Sequence, residues 1–180
     1  MDRYKWRIEA AKEDLEVFSK VDQSQMDEMT EEIKKAKTVY VAGFGRAGLH
    51  GKILSMNLSQ LGRLSYVVGD TAICTPSIHE GDLLVVNSFS GETKTIAVIA
   101  QCAKEAGARV VLVSSDAEST IGKIADVNVV VPIKLDYDQD TGWWPFYTVS
   151  TWIMNAVREY IMWETGQSGL DLMYYHNNME

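Results

Sequence analysis

Short runs of β-branched and apolar residues alternate with longer amphipathic stretches through most of this chain, and this alternation is the strongest constraint on its fold. Such runs are typical of strands buried on both faces of a parallel sheet, with helices crossing between them. Because these crossovers are right-handed, the sequence predicts an α/β fold, a three-layer sandwich around a five-stranded parallel sheet. The predicted strands are residues 38–42, 65–68, 82–87, 109–113 and 127–131.

The stretches outside the strands have helical periodicity. Residues 4–37 predict two N-terminal helices, of which the second begins at Asp22 or Ser24 as N-cap. Further helices are predicted at 47–61, 92–106 and 120–125, with one long helix at 145–163. A length of 180 residues fits one domain. Its predicted parts are N-terminal helices (1–37), a sheet core (38–132) and a C-terminal helical region (143–180).

The formal net charge of −8 disfavours a nucleic-acid partner, which requires clustered Lys and Arg. We also expect no membrane partner, because no stretch is long and apolar enough to span a bilayer. The charged first residues do not form a signal peptide, so we expect a cytoplasmic protein. Cys74 and Cys102 are too few for a disulfide framework and are interpreted as buried small hydrophobic residues.

Hydroxyl side chains follow the third predicted strand directly, in the run Ser88-Phe89-Ser90-Gly91-Glu92-Thr93. A strand that turns into a helix in this way directs backbone N–H groups and the positive end of the helix dipole at one point. The arrangement suits a phosphate dianion, and the hydroxyls add donors. Serine and threonine are also good helix N-caps, so a purely structural role is the alternative. We call residues 88–93 the phosphate cradle.

A second glycine-rich turn, Gly43-Phe44-Gly45-Arg46-Ala47-Gly48, follows the first predicted strand. On its own such a turn is weak evidence, since dinucleotide sites have a similar pattern. Gly48 fits that spacing, and Asp70 loosely fits the acidic residue expected after the second strand. A nucleotide site is therefore a competing interpretation.

Taken together, the motifs resemble the sugar isomerase (SIS) family, and within it the 6-phospho-3-hexuloisomerases, over nearly the whole chain. The matching segments are Gly43-x-Gly45-Arg46; Gly69-Asp70-Thr71 with Thr75-Pro76; Ser88-x-Ser90-Gly91-Glu92-Thr93; and His176-Asn177-Asn178-Met179-Glu180. The third is typical of SIS domains in general. The other three resemble the hexuloisomerase branch.

This resemblance implies a flavodoxin-like SIS fold, a homotetramer or homodimer, and isomerisation between 3-hexulose 6-phosphate and fructose 6-phosphate. It implies no metal and no nucleotide cofactor. The reaction needs a base to take a proton from the carbon beside a carbonyl, and an acid to return it to the neighbouring carbon. The residues expected to bind the substrate and its phosphate are Gly45, Arg46, Ala47, Ser88, Phe89, Ser90, Gly91, Glu92 and Thr93.

Two residues differ from the family pattern. Ala47 stands where the family has a serine, so one hydroxyl is absent. Thr151 stands where the family has a proposed catalytic glutamate, and threonine is not a general base at neutral pH without a partner that activates it. The candidates for the missing acid–base groups are His176, Glu92, Glu180 and the acidic loop 136–140.

Several alternatives remain open at this point. Loss of the glutamate is also compatible with a non-catalytic sugar-phosphate sensor that kept the cradle. Bulky aromatic residues near Thr151, from Trp143 to Tyr147, either fit a differently shaped sugar phosphate or fill the core. The loop 136–140 lacks the Gly and Glu of a calcium loop, so we predict no metal there. His50 and His79 are interpreted as surface or packing histidines.

Overall fold

The computed structural model describes residues 4–69, 75–133 and 144–176. The helices in these ranges are α1 (Lys5–Ser19), α2 (Gln23–Lys35), α3 (Gly45–Gln60), α4 (Lys94–Glu105), α5 (Trp144–Thr165) and α6 (Gly169–Tyr175). The strands are β1 (Val39–Ala42), β2 (Ser65–Val67), β3 (Leu83–Asn87), β4 (Arg109–Ser114) and β5 (Val127–Val130).

The five strands form one parallel sheet in the order β2-β1-β3-β4-β5. Central β3 is buried along its whole length, as expected for a strand covered by helices on both faces. In register, Val39 of β1 lies between Ser65 of β2 and Leu83 of β3. The predicted α/β class with a five-stranded parallel sheet is confirmed, and the strand ends agree within one residue.

Helices cover the sheet in two separate cores. On one face, α2, α3 and α5 bury Ile33, Leu54 and Ile153, each with no exposed surface. On the other face, α4 buries Ile96 against β3 and β4, together with Ile121 from the connection between β4 and β5. The result is the predicted three-layer sandwich.

The N-terminal helices separate where the sequence predicts. The Asp22 side chain accepts a hydrogen bond from the Ser24 backbone N–H at 2.8 Å, so Asp22 is the N-cap of α2. Helix α1 packs on α5, where the Phe18 ring meets the Trp152 ring edge-on at 5.7 Å. The first helix is thereby held against the long helix.

Three expectations need correction. Residues 120–125 contain consecutive turns rather than a helix. Gly122 lies against the Ala117 backbone, and the Gly122 carbonyl accepts a hydrogen bond from the Asn128 side chain. Cys102 is exposed on α4 and is not a core residue. The short helix α6, with a capping box at Ser168, was not predicted as a separate element.

The site region lies at the carboxyl ends of β1 and β3. The crossover from β1 runs through α3 on one face, whereas the crossover from β3 runs through α4 on the other. This divergence leaves a crevice beyond Ala42 and Asn87, where open α/β sheets bind ligands. Within the described residues, no helix is long and apolar enough to cross a membrane.

Candidate functional site

The phosphate cradle connects the end of β3 to the start of α4. Thr93 is the N-cap of α4 in extended conformation, and its side chain makes no capping hydrogen bond. The first backbone N–H groups of α4, beginning at Lys94, have no acceptor within the helix. The Ser88 and Thr93 hydroxyls also make no hydrogen bond within the described residues. Two hydroxyls and the positive end of a helix therefore have no partner within the described residues, with Thr93 half-buried and Ser88 only 4% exposed.

The cradle is held by its neighbour, the connection that follows β4. The carbonyl of Phe89 accepts hydrogen bonds from the Ser115 backbone at 2.9 Å and hydroxyl at 3.0 Å. The carbonyl of Gly91 accepts from the Ile121 backbone at 3.1 Å. These carbonyls thus fix the loop against the adjacent connection. Two of its backbone N–H groups are also used within the protein, since Ser88 donates to the Val113 carbonyl at 3.1 Å and Gly91 to the Ser88 carbonyl at 3.3 Å.

Gly91 is the tightest point of this loop. Its φ is +64°, a conformation that favours glycine, and a Cβ there would overlap the Ser119 side chain. The glycine of the predicted motif therefore lets two neighbouring connections approach closely.

Glu92 is used within the protein. Its two carboxylate oxygens accept from the Thr120 backbone N–H and the Thr120 hydroxyl, each at 2.7 Å. The hydroxyl bond first, and then the backbone bond, lower the pKa of the exposed Glu92 carboxyl. The ionised Glu92 carboxylate therefore connects the cradle to the segment that follows β4.

The turn after β1 lies directly beside the cradle. Gly43 has no room for a side chain, since a Cβ would come within 2.7 Å of the Asn87 carbonyl. A Cβ at Gly48 would overlap the Gly43 carbonyl in the same way. Gly45 has φ +55° and starts α3, and the exposed Arg46 follows it. Two helix starts, those of α3 and α4, thus flank one crevice.

Asn87 joins the three segments around this crevice. Its fully buried side-chain amide donates to the Ala47 carbonyl of α3 at 2.9 Å and to the Ser150 hydroxyl of α5 at 3.4 Å. The next residue, Ser88, belongs to the cradle. On the other side of the joint, the Phe89 ring lies 5.0 Å from the Phe146 ring of α5. Helix α5 is therefore part of the site.

One pair of side chains that the sequence did not predict faces this region. Nδ1 of the half-buried His50 lies 2.6 Å from the Thr151 hydroxyl oxygen. Tyr147, one turn earlier on α5, stacks on the His50 ring at 5.6 Å and also lies under the Arg46 guanidinium at 4.7 Å. His50 thus packs against Tyr147, which is one of the two predicted alternatives, and it also makes a polar contact. It contacts the residue at the expected glutamate position.

The contacts of the Thr151 hydroxyl favour one tautomer of His50. The Thr151 hydroxyl donates to the Tyr147 carbonyl at 2.9 Å, and a carbonyl can only accept. The single hydroxyl hydrogen is then used, so His50 donates from Nδ1 and carries its lone pair on Nε2. Burial first, and the charge of Arg46 second, lower the pKa of the His50 imidazole. The imidazole is therefore neutral at neutral pH.

Of the remaining proposed acid–base groups, the structure describes His176. His176 ends α6 and is exposed. Its neighbour Tyr175 packs against Gly62, between α3 and β2. This contact lies at the amino ends of the strands, whereas the cradle lies at their carboxyl ends. Glu180 and the acidic loop 136–140 lie outside the described residues, as does Asp70, on which the nucleotide interpretation depended. In one copy of the chain, His176 does not reach the cradle.

Two further features bear on the ligand. In the described ranges, no group of three His, Cys, Asp or Glu residues is arranged to hold a metal ion. A surface cavity of about 320 Å³ lies between α1, α2 and α5, away from the cradle, and is lined by Phe18, Met26 and Tyr160 among others. Its lining has no cationic side chain, so we do not assign the phosphate to it.

The SIS domain family matches residues 32–143 of the chain. The chain belongs to this family. Over 114 residues, it is 39% identical to the 3-hexulose-6-phosphate isomerase of Mycobacterium gastri, covering 63% of this chain and 56% of that protein. It is also 38% identical over 138 residues to a protein of Methanothermobacter thermautotrophicus, covering 77% of this chain and 66% of the relative. The chain thus spans less than two thirds of these relatives' lengths.

Solved structures share the fold. A hypothetical protein of Methanococcus jannaschii, whose structure infers a function of 3-hexulose-6-phosphate isomerase, aligns with a TM-score of 0.84. That alignment has 24% identity and covers 97% of this chain and 99% of the other. The Vibrio vulnificus NanR protein complexed with ManNAc-6P aligns with a TM-score of 0.76 and 18% identity, covering 92% of this chain and 63% of the other.

Proposed function

We propose that this protein is a phosphosugar isomerase that interconverts phosphorylated ketohexoses, of the 3-hexulose 6-phosphate and fructose 6-phosphate type, through an enediolate. The observation that carries this proposal is the cradle, whose Ser88 and Thr93 hydroxyls are unpaired within the described residues at the start of α4. The names of relatives such as the Mycobacterium gastri enzyme support the choice of substrate.

In this proposal the phosphate sits at the start of α4, bound by Ser88, Ser90, Gly91 and Thr93. Of these, Ser90 already accepts from the Glu92 backbone N–H at 3.2 Å, so its hydroxyl hydrogen is the part left for a ligand. The turn Gly45-Arg46-Ala47 lies across the crevice and holds the sugar. Arg46 supplies a local positive charge in a protein whose net charge is −8.

An exchange experiment tests the activity. Fructose 6-phosphate is incubated with the protein in deuterated water, and NMR follows loss of the proton on the carbon beside the carbonyl. Enediolate chemistry exchanges that proton with solvent, whereas a non-catalytic sensor leaves it in place. A phosphosugar that raises the melting temperature without any exchange would establish the sensor instead, which the threonine at position 151 favours.

A paired substitution tests the phosphate position. We expect Ser88→Ala with Thr93→Ala to abolish the rise in melting temperature that fructose 6-phosphate causes, because both hydroxyl donors are lost. The matched control is Ser59→Ala with Thr165→Ala, which removes one serine and one threonine hydroxyl near the C-terminal ends of α3 and α5. Retained binding in the first variant would place the phosphate elsewhere.

We further propose that the whole chain works as one SIS unit in the cytoplasm, without a nucleic-acid or membrane partner, as a homotetramer or homodimer. Large apolar side chains are exposed on several helices, among them Leu49 at 63%, Trp163 at 77% and Tyr174 at 82%. Such surface is typical of subunit contacts. His176 could reach a cradle only from a second copy. Light scattering after size-exclusion chromatography measures the assembly.

A further inference from the structure

Two pairs of side chains, each one helical turn apart, contact each other where α3 and α5 pack together on one face of the sheet. Arg46 and His50 lie four residues apart on α3, and Tyr147 and Thr151 lie four residues apart on α5. Tyr147 contacts both members of the α3 pair, and Thr151 binds His50. We call these four residues the α3–α5 cluster.

The cluster is fixed relative to the cradle by short contacts. Ala47 and Ser150, each adjacent in sequence to a member of the cluster, both bind the Asn87 side chain, and Ser88 follows Asn87. His50 lies about 6 Å along the helix from Arg46, four residues at about 1.5 Å each. In the proposed function the phosphate lies at the start of α4 and Arg46 belongs to the turn that holds the sugar. The imidazole one helical turn from Arg46 therefore lies on the side of the site that receives the sugar carbons.

His50 has the chemical state of a base. Its Nδ1–H is held by Thr151, and Nε2 makes no hydrogen bond within the described residues, so its lone pair remains available. The ring is half-buried and stacked on Tyr147, which limits its rotation. An oriented neutral imidazole of this kind is the commonest general base in enzymes.

We infer that His50 is the general base of the proposed isomerisation, and that Thr151, at the position of the expected glutamate, is the positioning residue that holds its tautomer. This inference rests on the proposed function. It assigns a catalytic role to a histidine outside all the motifs of the sequence.

The proposed step is balanced without any oxidant. Nε2 takes the proton from the carbon beside the carbonyl, the C–H electron pair forms a C=C bond, and the carbonyl π pair moves to oxygen as an enediolate. The imidazolium then returns the proton to the former carbonyl carbon, and the hydroxyl proton on the first carbon passes to the enediolate oxygen. One carbon is oxidised and its neighbour reduced. Arg46 is the cation beside the developing negative charge.

Substitution of the imidazole is the direct test. We expect His50→Gln to lower kcat/KM and proton exchange by about 10²- to 10⁴-fold, the usual contribution of a general base. The rise in melting temperature with fructose 6-phosphate should persist, because the cradle is unchanged. The matched control is His79→Gln, an exposed histidine before β3, which should retain activity. His50→Asn serves if the glutamine variant does not fold.

A second measurement tests the positioning role. Nitrogen NMR shifts of the wild-type ring should show hydrogen on Nδ1 and none on Nε2 at neutral pH. Thr151→Val should give a mixture of tautomers and lower kcat by about tenfold with little change in KM, whereas Thr151→Ser should recover most of that loss. Hydrogen found on Nε2 in the wild type would overturn the assignment.

The outcomes separate this inference from the proposed function. If the wild type exchanges the proton and His50→Gln does so within a few fold of it, the base lies elsewhere and only the inference fails. If the wild type binds phosphosugars and exchanges no proton, the isomerase proposal fails and the base role fails with it. Exchange in the wild type that is lost in His50→Gln, with binding kept, supports both.

Discussion

Gly91 shows how the site depends on the absence of a single methyl group. The residue combines a left-handed backbone with a neighbour, Ser119, that occupies the space of a Cβ. Either condition alone disfavours other residues, and the two add. The position of the cradle relative to the connection after β4 is therefore set by packing as well as by hydrogen bonds.

We expect Gly91→Ala to lower the free energy of unfolding by about 2–5 kcal/mol, from about 1–2 kcal/mol of backbone strain and about 1–3 kcal/mol of overpacking. Urea unfolding measures the loss. Gly91→Ala should cost less in a Ser119→Gly background than in the wild type, because the overlap is then absent and the strain stays. Ser119→Gly alone measures the loss of the two hydrogen bonds of the Ser119 hydroxyl, to the Asp116 carbonyl and from the Gly122 N–H. Equal stability of Gly91→Ala and wild type would show that the two connections can separate without cost.

The site was only partly predictable from the sequence at the level of residues. The cradle follows from local order, since a buried strand, hydroxyls, a glycine and a helix occur in sequence. The contact between His50 and Thr151 joins positions 101 residues apart, and no local pattern indicates it. The one available signal was Thr151 at the position of the expected glutamate, which implied that another residue supplies the base.

The acid limb of the pH profile follows from the His50 ring. Burial and Arg46 lower its pKa below 6.5, and Tyr147 is the titratable group that contacts it from α5. Since the neutral ring is the active form, we expect kcat/KM for fructose 6-phosphate to be constant down to below pH 6.5 and then to fall. Loss of activity already at higher pH would contradict a lowered value.

At the scale of elements, Asp126 lies directly before β5 and contacts two other elements. Its carboxylate accepts from the Val110 backbone N–H at 2.8 Å and from Lys104 at 2.7 Å, and Arg109 lies 3.5 Å away. One side chain therefore ties the turns before β5 to α4 and to β4. Burial raises the pKa of this carboxyl, but its hydrogen bonds and cations outweigh that effect and lower it.

We expect Asp126→Asn to lower the free energy of unfolding by about 1 kcal/mol at pH 7, a modest value because the partner cations are partly exposed. The stabilisation is present above 3.8, the ordinary pKa, and is lost as the pH falls through the lower folded value. The two proteins should thus converge in urea unfolding at low pH. Glu118→Gln, an exposed neighbour, is the control.

Prediction of elements succeeded where hydrophobic runs were long enough to be unambiguous. All five strands fit this description, because a strand covered on both faces has few polar residues. The stretch 120–125 failed since six residues with a central glycine fit either a short helix or successive turns. Helix α6 was missed because it has only seven residues and fully buries none of them, so its capping box is its clearest mark.

At the scale of the whole molecule, the sheet separates two cores that share strands and no side-chain contacts. Ile153 belongs to the core under α3 and α5, and Ile96 to the core under α4. Every central strand contributes to both cores, because alternate side chains point to opposite faces. The cores should therefore unfold together even though each packs independently.

We expect Ile153→Val and Ile96→Val each to cost about 0.5–1.5 kcal/mol, and the double variant to show their sum within about 0.5 kcal/mol. Tryptophan fluorescence and far-UV circular dichroism should report one transition in all three proteins. A separate fluorescence transition in Ile153→Val would mean that the core under α5 opens alone.

The edge-on contact between Phe18 and Trp152 has a consequence for biosynthesis. The helix that a ribosome delivers early finds its partner only after all five strands have been translated. Until α5 emerges, the nascent polypeptide exposes the apolar surface of the sheet and of α3 that α5 later covers. Translation pauses after β5 would prolong that exposure, so holdase chaperones should be recruited most strongly there.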